Sequence, residues 1–361
     1  MPLNGPPSRC NITILGIGQM GLVCAGILSD LDKGRSWPGA LGGRPPRVTL
    51  WGHDPGLAGA LAQTRKSDRL PGFVLADSVR VAMKDRDALA EADLIISAVP
   101  VQFSRGAWER LRPHVPRKAG GGAVLSVAKG IENGTLLRPL EIIADVLNDD
   151  PDAAPRRLAA LSGPTIAPEL SRCLPATMIA ASEGEAFRSL VQELVTTRWM
   201  RIYTTGDGRG VELGGARKNV FAIAAGILDG LQAGCNAKSA LLARGLAEIS
   251  RLGVAMGASP ETFFGVAGAG DLATSCFSPE GRNRSCGEAL GKGVKLDDYL
   301  ARSPHVVEGV ATTRSVVDLA RKHRVEMPIT QAVYAVLFES LDPIDAIGQL
   351  MTREPKAERV G

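Results

Sequence analysis

A β-branched stretch, a glycine-rich turn and an apolar helix follow one another near the start of this chain and constrain its fold more than any other feature. Residues 11–15 read N-I-T-I-L, the pattern of a strand buried in a parallel sheet. Gly16-Ile17-Gly18-Gln19-Met20-Gly21 comes next, then L-V-C-A-G-I-L-S-D-L with helical patterning. Glycines let a backbone turn tightly and approach a pyrophosphate, which then meets the positive end of the helix. The order predicts a dinucleotide-binding domain with Gly16, Gly18 and Gly21 against the cofactor.

Further buried strands are expected at 47–51, 93–99, 123–127, 158–161, 177–181 and 200–203. Residues 33–46 are rich in Gly, Pro and Arg and read as an irregular surface excursion; residues 148–157 read as a loop. An acid usually ends the second strand of NAD-specific folds, where it holds the ribose 2′-hydroxyl. Here Gly52-His53 stand there and Asp54 comes one step late. His53, with Arg65 or Lys66, suits a 2′-phosphate, so the reading leans to NADP or to use of both cofactors; the alternative for His53 is an exposed loop histidine. Lys129 sits in A-K-G after the 123–127 strand, placed to face a cofactor or an anion, or else to be an exposed turn lysine. In Ser162-Gly163-Pro164-Thr165-Ile166-Ala167, small residues leave backbone groups open to a ligand.

Beyond about residue 205 strand signals stop and helical patterns run to about 352, so the expected division is 1–205 and 206–361. Residues 354–361 are charged and read as disordered. Residues 211–231 are apolar or small on nearly every face, as in a helix buried on all sides, yet carry Arg217, Lys218 and Asn219 in a row. A buried lysine needs a partner or a purpose. It snorkels to the surface, closes a structural ion pair, or exchanges a proton near neutral pH because burial disfavours the ammonium form. Asp271, flanked by glycines in G-A-G-D-L, is either a presented carboxylate or a helix cap. Arg282 and Asn283 stand at an expected helix start, a good phosphate site, the alternative being a solvated face.

The composition narrows the function. A net charge of +4 suits an anionic small molecule, and basic residues scattered among only 4% aromatics argue against nucleic acid. No run of about 18 apolar residues predicts a membrane span, and the N-terminus lacks a signal-peptide pattern. The six cysteines form no C-x-x-C and no Cys/His cluster, so neither disulfide nor metal is expected, in keeping with a reducing cytoplasm.

Taken together, G-I-G-Q-M-G, L-W-G-H-D-P, V-A-K-G, L-S-G-P-T-I-A-P-E-L, E-L-G-G-A-R-K-N-V-F-A-I-A-A-G, A-K-S-A-L-L-A-R-G-L-A-E, A-G-A-G-D-L, G-R-N-R, V-V-E-G and E-M-P-I-T resemble, in family order over residues 11–352, the bacterial-type NAD(P)-dependent glycerol-3-phosphate dehydrogenases. The resemblance implies an α/β chain, a Rossmann-type domain followed by an all-helical one. It implies reversible hydride transfer between NAD(P)H and dihydroxyacetone phosphate, giving sn-glycerol 3-phosphate for glycerophospholipid synthesis in a cytoplasmic homodimer. It makes Lys218 the general acid/base and has Lys129 touch cofactor and substrate. Gly163 and Thr165 would line the substrate site, and Asp271, Arg282 and Asn283 would hold the triose phosphate. Gln19, Met20, His53, Ala167, Arg282, Val306 and Glu308 would lie along the dinucleotide. Gln19-Met20 and Gly281 depart from the family pattern, which bears on cofactor clamping and phosphate affinity. Two rivals are a β-hydroxy-acid dehydrogenase, which needs no phosphate anchor, and a non-catalytic dinucleotide sensor, which needs neither lysine.

Overall fold

The computed structural model describes residues 10–358 except 30, 33, 117–121, 149–155, 304–305 and 356. Most of the 148–157 stretch and part of 354–361 therefore lie outside the described residues. Glu358, in that terminal stretch, stands 3.5 Å from Arg244.

The chain divides into two compact units. The first comprises Met1–Ala128, Pro139–Leu161 and Thr165–Gly208; the second comprises Lys129–Arg138, Ser162–Pro164 and Arg209–Gly361. Two short segments that precede residue 205 thus belong with the helical unit.

In the first unit strands and helices alternate: β1 (Asn11–Leu15), α1 (Gln19–Ile27), β2 (Arg47–Trp51), α2 (Pro55–Thr64), β3 (Arg80–Ala82), α3 (Asp85–Leu89), β4 (Leu94–Ser97), α4 (Val101–Leu111), β5 (Ala123–Ser126), α5 (Pro139–Leu147), β6 (Leu158–Ser162), α6 (Ala167–Ser171), β7 (Ala176–Ala181), α7 (Glu185–Val195) and β8 (Met200–Thr205). The sheet order is β3-β2-β1-β4-β5-β6-β7-β8. The pairs β2–β3, β1–β2, β1–β4, β4–β5, β5–β6 and β7–β8 run parallel. Strand β3 has only three residues, too few for a hydrophobic period to show in the sequence. The chain reverses its direction of winding between β1 and β4, and doubly wound sheets gather ligands at the carboxyl ends of such strands.

Residues 33–46 are irregular apart from one short turn at Gly39–Leu41, and Gly34, Ser36, Gly39, Gly43, Arg44 and Pro45 are exposed, as the composition suggests, yet the segment is also anchored to the core. Leu41 is buried, Trp37 packs on the core, and Arg35 lies 3.9 Å from the Trp37 ring centroid. Arg35 also donates to the carbonyls of Ile27 (3.2 Å) and Leu194 (2.6 Å). A polar-looking segment is tied down here by one aromatic ring and one guanidinium, which local composition does not reveal.

The second unit is helical: α8 (Gly208–Gly230), α9 (Gly234–Ala255), α10 (Pro260–Phe264), a π-helical turn Val266–Gly270, α11 (Asp271–Phe277), α12 (Arg282–Gly291), α13 (Leu296–Arg302), α14 (Glu308–His323), α15 (Pro328–Phe338) and α16 (Pro343–Met351). Every residue of α8 from Gly210 to Ile227 is buried, as an all-round apolar helix requires. Glu248 of α9 is a buried carboxylate that the sequence did not single out. It accepts from Ile329 N (2.7 Å) and Thr330 N (3.2 Å), capping α15 from a distant helix.

Helices α8 and α12 meet backbone to backbone. A Cβ on Gly226 would stand 1.9 Å from Arg284 O, and one on Gly287 would stand 1.9 Å from Ile223 O. No rotamer relieves an overlap with a carbonyl, so this crossing fixes the start of α12 beside the middle of α8. Gly287→Ala should force the two helices apart and lower stability by about 1–3 kcal/mol. Urea unfolding of that variant checks it, and a wild-type midpoint would show that the crossing yields freely.

Candidate active site

Helix α8 is a platform whose residues each meet a different element. Lys218 lies on it and is 7% exposed. Its Nζ donates to Oδ1 of Asp271, the first residue of α11, which is 0% exposed. The other carboxylate oxygen, Oδ2, accepts from Lys129 Nζ at 2.7 Å. Lys129 Nζ also donates to the Gly163 carbonyl at 2.9 Å. The two lysines and the aspartate that the sequence singled out separately thus form one buried cluster in the helical unit. Asp271 does not cap its helix: the cap position is Gly270, with no side-chain cap bond, and the carboxylate bridges the two ammonium groups instead.

Why Lys129 joins the helical unit follows from its neighbours. Arg138 Nη1 lies 2.5 Å from Glu212 Oε2, a buried ion pair between its segment and α8. Ser315 Oγ of α14 donates to Ile131 O at 2.9 Å. On α8, a Cβ at Gly215 would stand 2.8 Å from Ser162 Oγ and 3.5 Å from Lys129 Cγ, so glycine makes room for the lysine stem. Arg138 and Glu212 were missed in the sequence. The available signal was a glutamate inside an apolar helix, which raises the same question as the lysine.

Other expected residues lie at the starts of α12 and α14 in the same unit. Asn283, in the first turn of α12, accepts from Gly309 N at 2.9 Å through Oδ1, leaving its NH2 as the donor toward a ligand. A Cβ on Gly309 would stand 2.8 Å from Asn219 O, so the starts of α12 and α14 converge on α8. Arg282 is exposed on the first turn of α12. Glu308 begins α14 half-buried, and burial raises its carboxyl while the charges of Arg282, Lys129 and Lys218 pull the other way. Val306 is exposed just before it. Arg284, beside Arg282, has a structural partner: it pairs with Asp229 near the end of α8 and donates to Ser278 O at 2.9 Å.

The first unit carries the glycine turn. Gly16 has a φ of +114°, and a Cβ there would stand 2.7 Å from Ala98 O at the end of β4. A Cβ on Gly21 would meet Gly16 O at 1.8 Å, so α1 approaches the turn only through glycine. Around Gly18, the cap of α1, a Cβ would meet nothing within 4 Å. Gln19 and Met20 open the helix, half-buried. A tight turn, open space and a helix start at a sheet's switch point fit a dinucleotide's pyrophosphate. His53 is exposed at the end of β2, its carbonyl accepting from Arg110 Nη1 at 3.2 Å. Asp54 caps α2 through Gly56 N (2.8 Å) and Leu57 N (3.1 Å), and Arg65 is engaged with the carbonyls of Ala76 and Val79. Of the groups considered for a 2′-phosphate, His53 and Lys66 remain exposed. Thr165 lies half-buried on the β6–α6 connection and Ala167 is buried at the start of α6.

Burial pulls the Lys129 ammonium down from 10.5 to about 8; Asp271 opposes that shift and the Lys218 charge adds to it. The unfolded chain therefore keeps this proton up to 10.5 and the folded one only to about 8, so the penalty is present in full below about 8 and fades toward 10.5. Unfolding of wild type and Lys129→Met across that window should show the lysine's destabilising contribution shrinking as pH rises. A difference that stays constant with pH would refute the shift.

Residues 11–188 match the family described as NAD-dependent glycerol-3-phosphate dehydrogenase N-terminus, and residues 207–348 match the corresponding C-terminus family. A glycerol-3-phosphate dehydrogenase [NAD(P)+] of Prosthecochloris aestuarii is 43% identical over 348 residues, covering 96% of this chain and 99% of that protein. The crystal structure of glycerol-3-phosphate dehydrogenase from Coxiella burnetii superposes with a TM-score of 0.85 at 32% identity, covering 96% of this chain and 99% of that one. The Plasmodium falciparum glycerol-3-phosphate dehydrogenase shares the fold, with a TM-score of 0.84 at 20% identity over 97% of each chain. On residues, fold and coverage together, the chain belongs to the NAD-dependent glycerol-3-phosphate dehydrogenase family.

Proposed function

We propose that this chain is an NAD(P)-dependent glycerol-3-phosphate dehydrogenase that interconverts dihydroxyacetone phosphate and sn-glycerol 3-phosphate. The observation that carries the reading is the buried carboxylate of Asp271 bridging Lys129 and Lys218. When bound, the nicotinamide supplies the hydride for ketone reduction or accepts it in the reverse direction. Gly16, Gly18 and Gly21, with Gln19 and Met20, cradle the pyrophosphate. His53 meets the adenosine ribose or its phosphate, and Lys129, Ala167, Arg282, Val306 and Glu308 complete the cofactor's contacts. Use of both cofactors, with NADP favoured, goes with the lack of an acid at the end of β2 and with Asp54 being held as a helix cap.

The remaining steps belong to side chains. Lys218 donates a proton to the carbonyl oxygen as charge develops there, and takes it back in the oxidation. Lys129 stabilises the same oxygen electrostatically, in a site where two ammonium groups face one carboxylate. Asp271 orients both. Gly163 and Thr165 line the substrate's site, and Arg282 with the Asn283 amide anchors the phosphate. That binding positions the distant carbonyl for reduction. The product feeds glycerophospholipid synthesis, and a cytoplasmic homodimer through the helical unit goes with the same family reading. No helix among the described residues is long and apolar enough to cross a membrane.

The direct test is the absorbance of NADH and of NADPH in the presence of dihydroxyacetone phosphate; no oxidation of either sinks the assignment. Lys218→Ala should lower kcat by about 10²–10⁴-fold, as loss of a general acid does, with NADPH binding retained. Turnover near wild type would move the proton elsewhere. Arg282→Ala should raise KM for dihydroxyacetone phosphate by about tenfold or more, the scale of one charge-assisted bond. An unchanged KM takes Arg282 out of the phosphate site.

A further inference from the structure

The residue before Lys218 has no part in the chemistry described so far, yet it is the more deeply buried cation. Arg217 is 0% exposed. Its Nε donates to Leu213 O of α8 at 3.0 Å and its Nη1 to Ile249 O of α9 at 2.6 Å. Its Nη2 has no hydrogen-bond partner among the described residues, and no carboxylate pairs with it there. Burial alone pulls it down to about 9, so it is charged at neutral pH. An enclosed charge without a counter-ion is expensive, and apolar side chains of similar volume commonly replace such groups without loss. Packing alone does not explain an arginine here.

Its surroundings give a reason. Gly214, Arg217 and Lys218 are spaced i, i+3, i+4 and so share one face of α8. That face meets a single continuous stretch, from the end of α10 through the π-helical turn to α11. The Arg217 guanidinium lies 5.3 Å from the Phe263 ring centroid, within cation–π range. A Cβ on Gly214 would stand 2.7 Å from Ala267 O, in the middle of the π turn. Lys218 holds Asp271 immediately after it. Glycine at 253 accommodates the arrangement, since a Cβ there would stand 2.0 Å from Phe263 Cζ and 3.0 Å from Arg217 Nη2. The two adjacent cations therefore grip the two ends of one irregular turn, a type of turn that recurs at functional sites.

We propose that Arg217 is a positioning residue. By bridging α8 and α9 and holding Phe263, it fixes the π-helical turn and so places Asp271 between Lys129 and Lys218. The inference rests on the roles given to those lysines under the proposed function. Loosening the turn withdraws the carboxylate from both ammonium groups without touching the phosphate anchor or the dinucleotide turn.

The test uses Arg217→Met, Arg217→Lys and Phe263→Leu in the full-length protein. For Arg217→Met, amide hydrogen exchange should accelerate in peptides covering residues 263–277. kcat should fall by about tenfold to a hundredfold, the scale of an ångström-level misplacement, while KM for NADPH stays at the wild-type value. The alkaline limb of kcat should move to lower pH, because Lys129 loses the carboxylate that holds its proton. The other charges coupled to that lysine and its neighbours, Lys218, Glu308 and Arg282, stay in place. Arg217→Lys, which keeps a charge beside the ring, should recover part of kcat and of the limb; Phe263→Leu should shift both in the same direction as Arg217→Met. If Arg217→Met yields no folded protein, the other two variants carry the test unaided. Wild-type kcat and pH profile in the variants, whatever their melting temperatures, would make Arg217 a packing residue only and overturn the proposal, as would unchanged exchange at 263–277. An inactive wild type would instead refute the functional reading, and the exchange measurement would still decide whether the turn is held by Arg217.

Discussion

One carboxylate shared by two ammonium groups is the constraint on which the helical unit's site depends. Each buried charge loses hydration worth several kcal/mol, and a single aspartate neutralises only one of the two lysines. The cluster keeps an excess positive charge in a buried place, the polarity needed where a carbonyl oxygen becomes an alkoxide. It also explains why burial wins at Lys129, which is brought down to about 8 although Asp271 lies 2.7 Å away. A second aspartate in the cluster would hold the protons more firmly and cancel the excess positive charge on which the proposed chemistry relies. Leaving that charge uncompensated costs stability, and burial with it brings the titration of the Lys129 ammonium closer to neutral pH than that of an exposed lysine.

Holding such a cluster requires backbones to approach more closely than side chains allow. Helix α8 supplies that with glycines on several faces: Gly214 against the π turn, Gly215 beside the Lys129 stem, and Gly226 against α12. Among and just before them stand polar residues matched to partners far away in sequence. Glu212 pairs with Arg138, Arg217 bonds to Ile249, and Lys218 bonds to Asp271. One helix thereby fixes the positions of four separate segments. The small residues that make it look like featureless core are what allow the charged ones to converge.

Much of this was legible because its signals are local. The strand, glycine turn and helix at residues 11–27, the parallel strands and the long buried helix each declare themselves within about twenty residues. The lysines and Asp271 could be named for the same reason: a charge in an apolar or glycine-rich stretch is anomalous on its face. What was not legible depends on partners far along the chain. Lys129 comes three residues after β5, yet its segment belongs to the helical unit, held there by the Arg138–Glu212 salt bridge and by the hydrogen bond from Ser315 of α14 to Ile131 O. The 33–46 stretch is in part the exposed irregular segment it looked like, but its anchoring was not legible, because the carbonyls of Ile27 and Leu194 that Arg35 reaches lie outside it. In the sequence Asp54 stands only as an acid one step too late to end β2, and its part as a helix cap shows in the hydrogen bonds from the amides two and three residues ahead.

The three consecutive polar residues of α8 show where such reading stops. Arg217, Lys218 and Asn219 differ by one step each along the chain, which is about 100° around a helix. On a helix buried on every side, those steps lead into three different environments. Arg217 enters the packing of α8 against α9 and Phe263, Lys218 reaches Asp271, and the Asn219 carbonyl abuts Gly309 at the start of α14. Sequence identifies the anomaly, because charge in an oily helix demands an explanation. It does not say which of the neighbouring charges faces the chemistry and which holds the scaffold, because that depends on which element lies opposite each face. Here the lysine has a carboxylate partner and the arginine only carbonyls and a ring, and it is this difference in partners on which the two proposed roles rest.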